Sequence, residues 1–368
     1  MPDSSELLLA VEFAGTGLHP ASWRRDDSRA EDLFTARYWS DLVGSADRAG
    51  VDFAFLPDNF GVTSAENTVR GRLEAVGIAA RLSTATSRIG LIPTATVTHT
   101  EPFHVAKAIQ TIDHTTLGRA GWEVAVTRGD APTRLFGRKE AQHDGSLWAE
   151  AHEAAEVASR LWDSWEDDAE IRDVETGRFV DRDKLHYIDF EGEYFSVKGP
   201  SITPRSPQGQ PLIAVTISDE HSFDFAAARA DLVRIRATDL RAAEDLADRV
   251  RAAANGRRLH VLLDVDLLLA ASDGDATDDF SRLEDWAGAH YRPETVLHRG
   301  TSRGLVELLD GVRGVDGVVL RPLALSSTTQ RLVADVLPAL RPAAELVTGT
   351  LRERLGLDRP ANRFTSAH

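Results

Sequence analysis

Hydrophobic positions along the chain switch repeatedly between short apolar runs and a spacing of three to four residues, and each switch marks an element. The first run, Leu7 to Phe13, predicts a strand with Glu12 near its carboxyl end. After a loop, GTGLHPASWRRDDS, the residues Trp39, Leu42, Val43 and Ala46 recur at helical spacing until Gly50 stops them. DFAFLPDNFG predicts a strand ending in Pro57, Asp58 and Asn59, and Leu73, Val76 and Ala80 predict the helix that follows. A strand begins at Ile89, and Glu101-Pro102 opens a helix to Ile112, since proline at a first helical position loses no hydrogen bond. Gly121 to Val126 predicts the next strand, and Leu147 to about Trp165 a long helix with Ala151, Ala154, Ala155, Ala158 and Leu161 inward.

From Glu170 to Gln210 the pattern lapses into polar, turn-rich sequence, with a hairpin predicted at YIDFEGEYFSV, and this stretch is read as an excursion from the core. Alternation resumes with LIAVTI, LVRIRA, LHVLLDVDLLLA and GVVLRPLA as strands. Helices are expected up to Ala230, along the face of Leu240, Ala243, Leu246 and Val250, around Phe280 to His290 and Leu305 to Val312, and over Leu332, Val333, Val336 and Leu337. Strands alternating with helices predict a parallel sheet. About eight such units predict an α/β fold, a (β/α)8 TIM barrel with an insertion after the long fourth helix. The expected organisation is one domain over residues 1–368, with the excursion at about 166–210. No glycine-rich turn follows the first strand, which counts against a dinucleotide-binding sheet.

Composition narrows the function. A formal charge of −16 opposes a nucleic-acid partner, because phosphate-backbone affinity rests on clustered Lys and Arg. The absence of cysteine excludes disulfides and thiolate chemistry. No apolar run reaches the roughly 20 residues that span a bilayer, and the start, MPDSSELLLAVEF, lacks a secretory signal, so a cytoplasmic location is expected. Histidines and carboxylates are scattered without metal-ligand spacing, so no metal is expected.

In a barrel, function gathers at the carboxyl ends of the strands. That rule selects Glu12, the His19 to Arg24 loop, Asp58 and Asn59, Thr94, Thr96 and His99, Thr127 and Arg128, Ser218 to His221, and Arg321. His19 and His99 are the candidate catalytic residues, although loop histidines are more often merely structural. Asp58 serves equally well as a helix cap or a ligand contact. His104 and His114 are expected to be structural, and Trp23, Trp39, Trp122 and Trp162 to fill core or crevice volume. By the two-residue period, Arg234 and Arg236 share one face of their strand and Asp264 and Asp266 one face of the next. If the strands adjoin, these four charges form a buried or half-buried ion network facing the barrel interior, read first as a self-neutralising layer and otherwise as a polar floor beneath the pocket or an anion site.

The block IGLIPTATVTHTEPFHVAKAIQTIDHTTLGRAGWEVAVT, from Ile89 to Thr127, closely resembles the flavin-dependent monooxygenases of the bacterial luciferase superfamily. The branch it resembles contains the nitrilotriacetate, pristinamycin and dibenzothiophene-sulfone monooxygenases. Matching features are Thr94 and Thr96, Glu101-Pro102, His104, Ala106, Asp113-His114, Gly118-Arg119 and Gly121-Trp122. GLHPASWR, YWSDLVGSADRAGVDFAFLPD, LWDSWEDDA, GEYFSVKGP and LRERLGLDRPAN extend the likeness almost end to end.

The resemblance implies a monooxygenase that uses reduced FMN and dioxygen to oxygenate a small organic substrate, with the flavin reduced by a separate NAD(P)H:flavin reductase. It implies Asp58, Thr94 and Thr96 along the flavin ring, His143, Trp148 and Ser218 as further cofactor contacts, and a homodimer. Leu147 and Trp148 stand where the branch carries an Arg-Tyr pair. AVTISDEHS replaces a small-residue phosphate loop, placing Asp219 and Glu220 there with Arg234 or Arg236 to compensate. Alternatives are a deazaflavin-dependent oxidoreductase and an accessory paralogue with weakened flavin binding.

Overall fold

The computed structural model describes residues 7–61, 68–341 and 348–365, so the Met1–Glu6 start of the stretch read for a signal lies outside them. Strand β1 (Leu8–Glu12) is followed by helix α1 (Ala36–Arg48), β2 (Phe53–Leu56) by α2 (Ala75–Leu82), and β3 (Gly90–Thr96) by α3 (Pro102–Thr116). Strand β4 (Gly121–Ala125) leads to a short α4 (Asp130–Phe136) and a long α5 (Asp144–Asp163). Then come β5 (Leu212–Thr216), α6 (Glu220–Arg229), β6 (Leu232–Ile235) and α7 (Leu240–Ala253). Strand β7 (His260–Leu269) precedes α8 (Asp273–Ala287) and α9 (Ser302–Asp310), and β8 (Gly317–Pro322) precedes α10 (Leu325–Arg331). Every neighbouring pair around the ring is parallel, and β6 pairing with β7 closes it, as the alternating elements predict. A further parallel strand, Val296–Gly300, lies against the carboxyl half of β7. The excursion forms two small antiparallel hairpins, Glu170–Asp173 with Arg178–Val180 and Phe190–Glu191 with Ser196–Val197.

Each helix presents one apolar stripe to the barrel. In α1 that stripe is Tyr38, Trp39, Leu42, Val43 and Ala46, and Thr35 caps its start by accepting the Tyr38 N–H. The stripe of α2 is displaced from the expected one. Ala75, Ile78, Ala79 and Leu82 are buried, whereas Leu73 precedes the helix and Ala80 faces solvent. Two carboxylates fix this start: Glu74, the N-cap, accepts the Gly77 N–H, and Asp58 accepts the Ala75 N–H at 3.0 Å. Trp122 and Trp162 are fully buried and meet edge to face, while Trp23, expected in the core, is 38% exposed.

The barrel interior is stratified along its axis. Its lower layer is apolar, built by Ala10, Phe53, Phe55, Ile92, Leu212, Leu232, Leu262 and Val319. Leu351, Leu355 and Leu357 from the carboxyl-terminal segment complete that layer. Gly90 and Gly317 make room for the close packing: a Cβ on Gly90 would meet Leu351 at 2.9 Å, and one on Gly317 the Leu8 carbonyl at 2.5 Å. Arg352 fastens the segment through Asp231 at 3.0 Å and the Gln210 carbonyl at 2.7 Å. With the amino end sealed, the polar layer above it faces the strands' carboxyl ends.

Candidate functional site

The upper layer is built by inward-facing residues of β1, β4, β6, β7 and β8. Arg234, with its side chain 2% exposed, donates to Asp264 at 2.9 and 3.0 Å, to Glu123 at 3.0 Å and to Glu12 at 2.5 Å. Its guanidinium carbon stands 4.6 Å from the centre of the Phe55 ring. Arg236 reaches Asp264 at 3.3 Å, and Arg321 lies 3.0 Å from Asp266 and 3.5 Å from Glu12. Thr94 and Thr216 donate to the two oxygens of Glu123, at 2.6 and 2.9 Å. The expected ion network is therefore present and larger than four charges. Glu123 escaped the sequence reading, although it alternates with the outward Trp122 and Val124 by the same two-residue period.

Burial alone would raise the carboxyl of Glu12, but the Arg234 and Arg321 guanidiniums outweigh it and hold the pKa at about 2. Asp266 goes the other way. Its burial raises the pKa beyond what Arg321 can offset, and Asp264 and Glu12 add repulsion. Tyr291 donates to Asp266 at 2.7 Å. The layer thus sets four carboxyl groups (Glu12, Glu123, Asp264, Asp266) against three guanidiniums (Arg234, Arg236, Arg321), and the crowding of carboxyls adds to the burial that lifts Asp266 above its ordinary value.

Two cavities flank the β2–α2 connection. One, of about 370 Å³, is bounded by Glu12, the loop after β1, the end of β2 and α2. His19 lies in its wall, buried, with Nδ1 accepting the Ala21 N–H at 3.3 Å and its ring centre 5.7 Å from that of Tyr291. Burial lowers the His19 pKa against the pull of Glu284, so the imidazole is neutral at pH 7. The second cavity, of about 200 Å³, brings together Asp58, Thr94 and Thr96 with Thr100 and His104. Here Asp58 also accepts the Asn59 N–H at 2.7 Å, and Thr96 shares a hydrogen bond of 2.9 Å with Thr127. His104, expected to be structural, is exposed at this cavity, whereas His114 is held at 2.9 Å from the Pro204 carbonyl.

His99 stands on a backbone with φ of 70° and stacks on Phe136 at 4.6 Å, and among the described residues neither ring nitrogen has a partner. Trp148 packs on Phe225, and among the described residues its indole N–H and one oxygen each of buried Glu150 and half-buried Gln142 are unpaired. His143 is the exposed residue preceding α5 and makes no cap hydrogen bond. Ser218 is exposed, donating its N–H to Ser222 Oγ at 2.9 Å and its hydroxyl to Asp219 at 3.0 Å.

The acidic loop is neutralised differently from the expectation. Arg234 is consumed inside the barrel, and Arg236 pairs with Asp264 and Glu294. Arg128 compensates instead, bridging Asp219 and Asp144. Asp219 caps its own helix by accepting the Ser222 N–H at 2.7 Å, in a reciprocal capping box. Among the described residues no cluster of His, Asp and Glu is placed to hold a metal ion, and no helix is long and apolar enough to cross a membrane.

A barrel of eight parallel strands is common to many chemistries, so the family rests on residue-level likeness. The model of the luciferase-like monooxygenase family matches residues 14–307. The chain belongs to that family. Among luciferase-like relatives, N-acetyl-S-(2-succino)cysteine monooxygenase of Bacillus subtilis is 34% identical over 287 residues, covering 76% of this chain and 65% of the relative. Nitrilotriacetate monooxygenase component A of Aminobacter aminovorans is 34% identical over 246 residues, covering 63% of this chain and 54% of the relative. The matched region thus spans less than two thirds of either relative's length. The crystal structure of a long-chain alkane monooxygenase superimposes with a TM-score of 0.87 at 22% identity, covering 96% of both chains, which shows the shared luciferase-like barrel.

Proposed function

We propose that the protein is a monooxygenase that accepts reduced FMN from a separate NAD(P)H:flavin reductase and oxygenates a small organic substrate. The observation that carries this reading is the pair of cavities on either side of the β2–α2 connection, at the carboxyl ends of the strands. One offers Asp58, Thr94 and Thr96 to a polar ring edge, and the other is a mostly apolar chamber. The printed name of one relative, a component A, supports a division of labour with a second protein.

The donor set fits a flavin. Buried polar atoms without partners are rare in folded proteins unless water or a ligand completes them. Here His99 Nδ1 and Nε2 lie on the β3–α3 loop, Gln142 Oε1 on the approach to α5, and Trp148 Nε1 and Glu150 Oε2 in the first two turns of α5. Asp58, Thr94 and Thr96 would hold the ring, and His143, Trp148, Ser218 and Arg128 the ribityl phosphate end. Bound reduced flavin supplies dioxygen activation and delivery of one oxygen atom. The protein orients the partners, excludes bulk water and keeps His19 neutral beside the larger cavity.

Titration with oxidised and with anaerobically reduced FMN, followed by tryptophan fluorescence, tests the reading. Binding of the reduced form, weakened by Asp58→Ala, is the expected result. Failure of both redox states to bind would overturn it.

A further inference from the structure

We propose that the larger cavity selects a substrate with a hydrocarbon body and a single anionic group, and that Arg72 is the residue that recognises the anion. This deepens the monooxygenase reading and rests on it for the identification of the ligand as a substrate. The wall is largely apolar, with Phe13, Leu33, Trp39, Leu56, Val69 and Ile78 turned toward the space. A volume of about 370 Å³ is at the lower end of small-molecule sites, which typically run from roughly 300 to 1,000 Å³. Apolar walls favour a hydrocarbon body because each methylene moved from water into the cavity adds to binding.

The charges around the cavity decide the rest. Glu12 is neutralised by Arg234 and Arg321 behind it. His19 is kept uncharged by burial. Thr16 and Ser22 satisfy one another at 2.8 Å. Arg72 alone of the ionisable lining residues carries an uncompensated charge. Its two recorded hydrogen bonds go to main-chain carbonyls, Gly61 at 2.8 Å and Asn59 at 3.4 Å, and among the described residues it has no carboxylate partner. Those carbonyls fix one side of the guanidinium fork and leave further N–H donors for a ligand. In a chain of formal charge −16, a guanidinium at the cavity without a carboxylate partner among the described residues favours an anion there.

One guanidinium matches one carboxylate, sulfonate or phosphate-like group. A tricarboxylate such as nitrilotriacetate would leave two charges unpaired against apolar walls, which is costly. The cavity therefore separates this protein from the relative named for that compound, despite their 34% identity.

Octanoate, 1-octanol and nitrilotriacetate are the probes, titrated by calorimetry into the full chain with and without FMN. Octanoate should bind more tightly than 1-octanol, and nitrilotriacetate most weakly. Arg72→Gln should weaken octanoate about tenfold and leave 1-octanol unchanged, and Arg72→Lys should restore part of the loss. Arg72 is exposed, so these variants fold. Equal loss for the acid and the alcohol, no loss for either, or tighter binding of nitrilotriacetate would each overturn the assignment. FMN titrated separately distinguishes the two readings: octanoate selectivity without FMN binding removes the flavin reading and keeps the anion site, whereas FMN binding without octanoate selectivity does the reverse.

Discussion

Arg234 and Asp264, thirty residues apart, meet through two parallel hydrogen bonds of 2.9 and 3.0 Å in the middle of the barrel. The pair joins β6 to β7, the contact at which the ring closes. Glu12 on β1 and Glu123 on β4 complete the coordination, so one guanidinium ties opposite sides of the barrel together.

Replacing Arg234 by Met should therefore destabilise the protein by about 3–5 kcal/mol, because three buried carboxylates lose their shared cation. Urea denaturation at pH 7 measures the difference. Adding Glu12→Gln and Glu123→Gln to Arg234→Met should recover part of it. A lone Arg234→Met with unchanged midpoint would show that the network does not hold the barrel closed.

Two carboxyls of this layer give opposite pH dependences. Glu12 has its folded pKa depressed to about 2, below its ordinary 4.5, so its stabilisation is present above 4.5 and is lost as pH falls toward 2. Asp266 has its folded pKa raised above 3.8, so its contribution is fully present below that value and is lost as pH rises through the folded pKa. Melting temperatures across pH 2 to 9 should show Glu12→Gln flattening the acid limb. Asp266→Asn, which mimics the protonated carboxyl, should flatten the opposite limb. An Asp266→Asn variant with the parent's slope on the rising side would show that Asp266 does not carry this pH dependence.

At the start of α6, Asp219→Asn removes a charge while retaining a good helix cap. Stability should change little. FMN should bind about threefold more tightly, in keeping with a partly exposed charge contact of under 1 kcal/mol, and riboflavin should be unaffected. The ratio of the two dissociation constants is the quantity to compare, and an unchanged ratio would separate this loop from the phosphate.

Leu351 is fully buried beneath the barrel, between Gly90 and the lower apolar layer. Leu351→Ala should cost about 2–5 kcal/mol through the cavity it leaves. The expected signature is a lower urea midpoint with octanoate affinity, measured well below the transition, retained, since the substitution lies at the end opposite the proposed site.

The two-residue period was enough to place Arg234 and Asp264 in the interior, because alternation assigns a strand residue to a face before its neighbours are known. It did not show which partners each charge would choose. Arg234 or Arg236 was expected to compensate the acidic loop, yet Arg234 is enclosed by carboxylates from three other strands, Arg236 pairs with Asp264 and Glu294, and Arg128 serves that loop instead. Leu73 was read as part of the α2 stripe from its spacing alone; the cap supplied by Glu74, with Asp58 accepting the Ala75 N–H, starts the helix two residues later. Asp58 was legible as a cap of the next helix or a ligand contact, and only the structure shows the Ala75 N–H that it accepts.

The order of strands and helices, the excursion, and the face on which each charge lies were determined by the sequence itself, because periodicity and turn chemistry are local properties of the chain. Which charges neutralise one another, which buried polar atoms remain unpaired, and which arginine is left to meet a ligand were decided only by the tertiary structure. Those outcomes depend on distances between residues far apart in the chain, and at such distances a few ångströms determine whether a charge is paired or available.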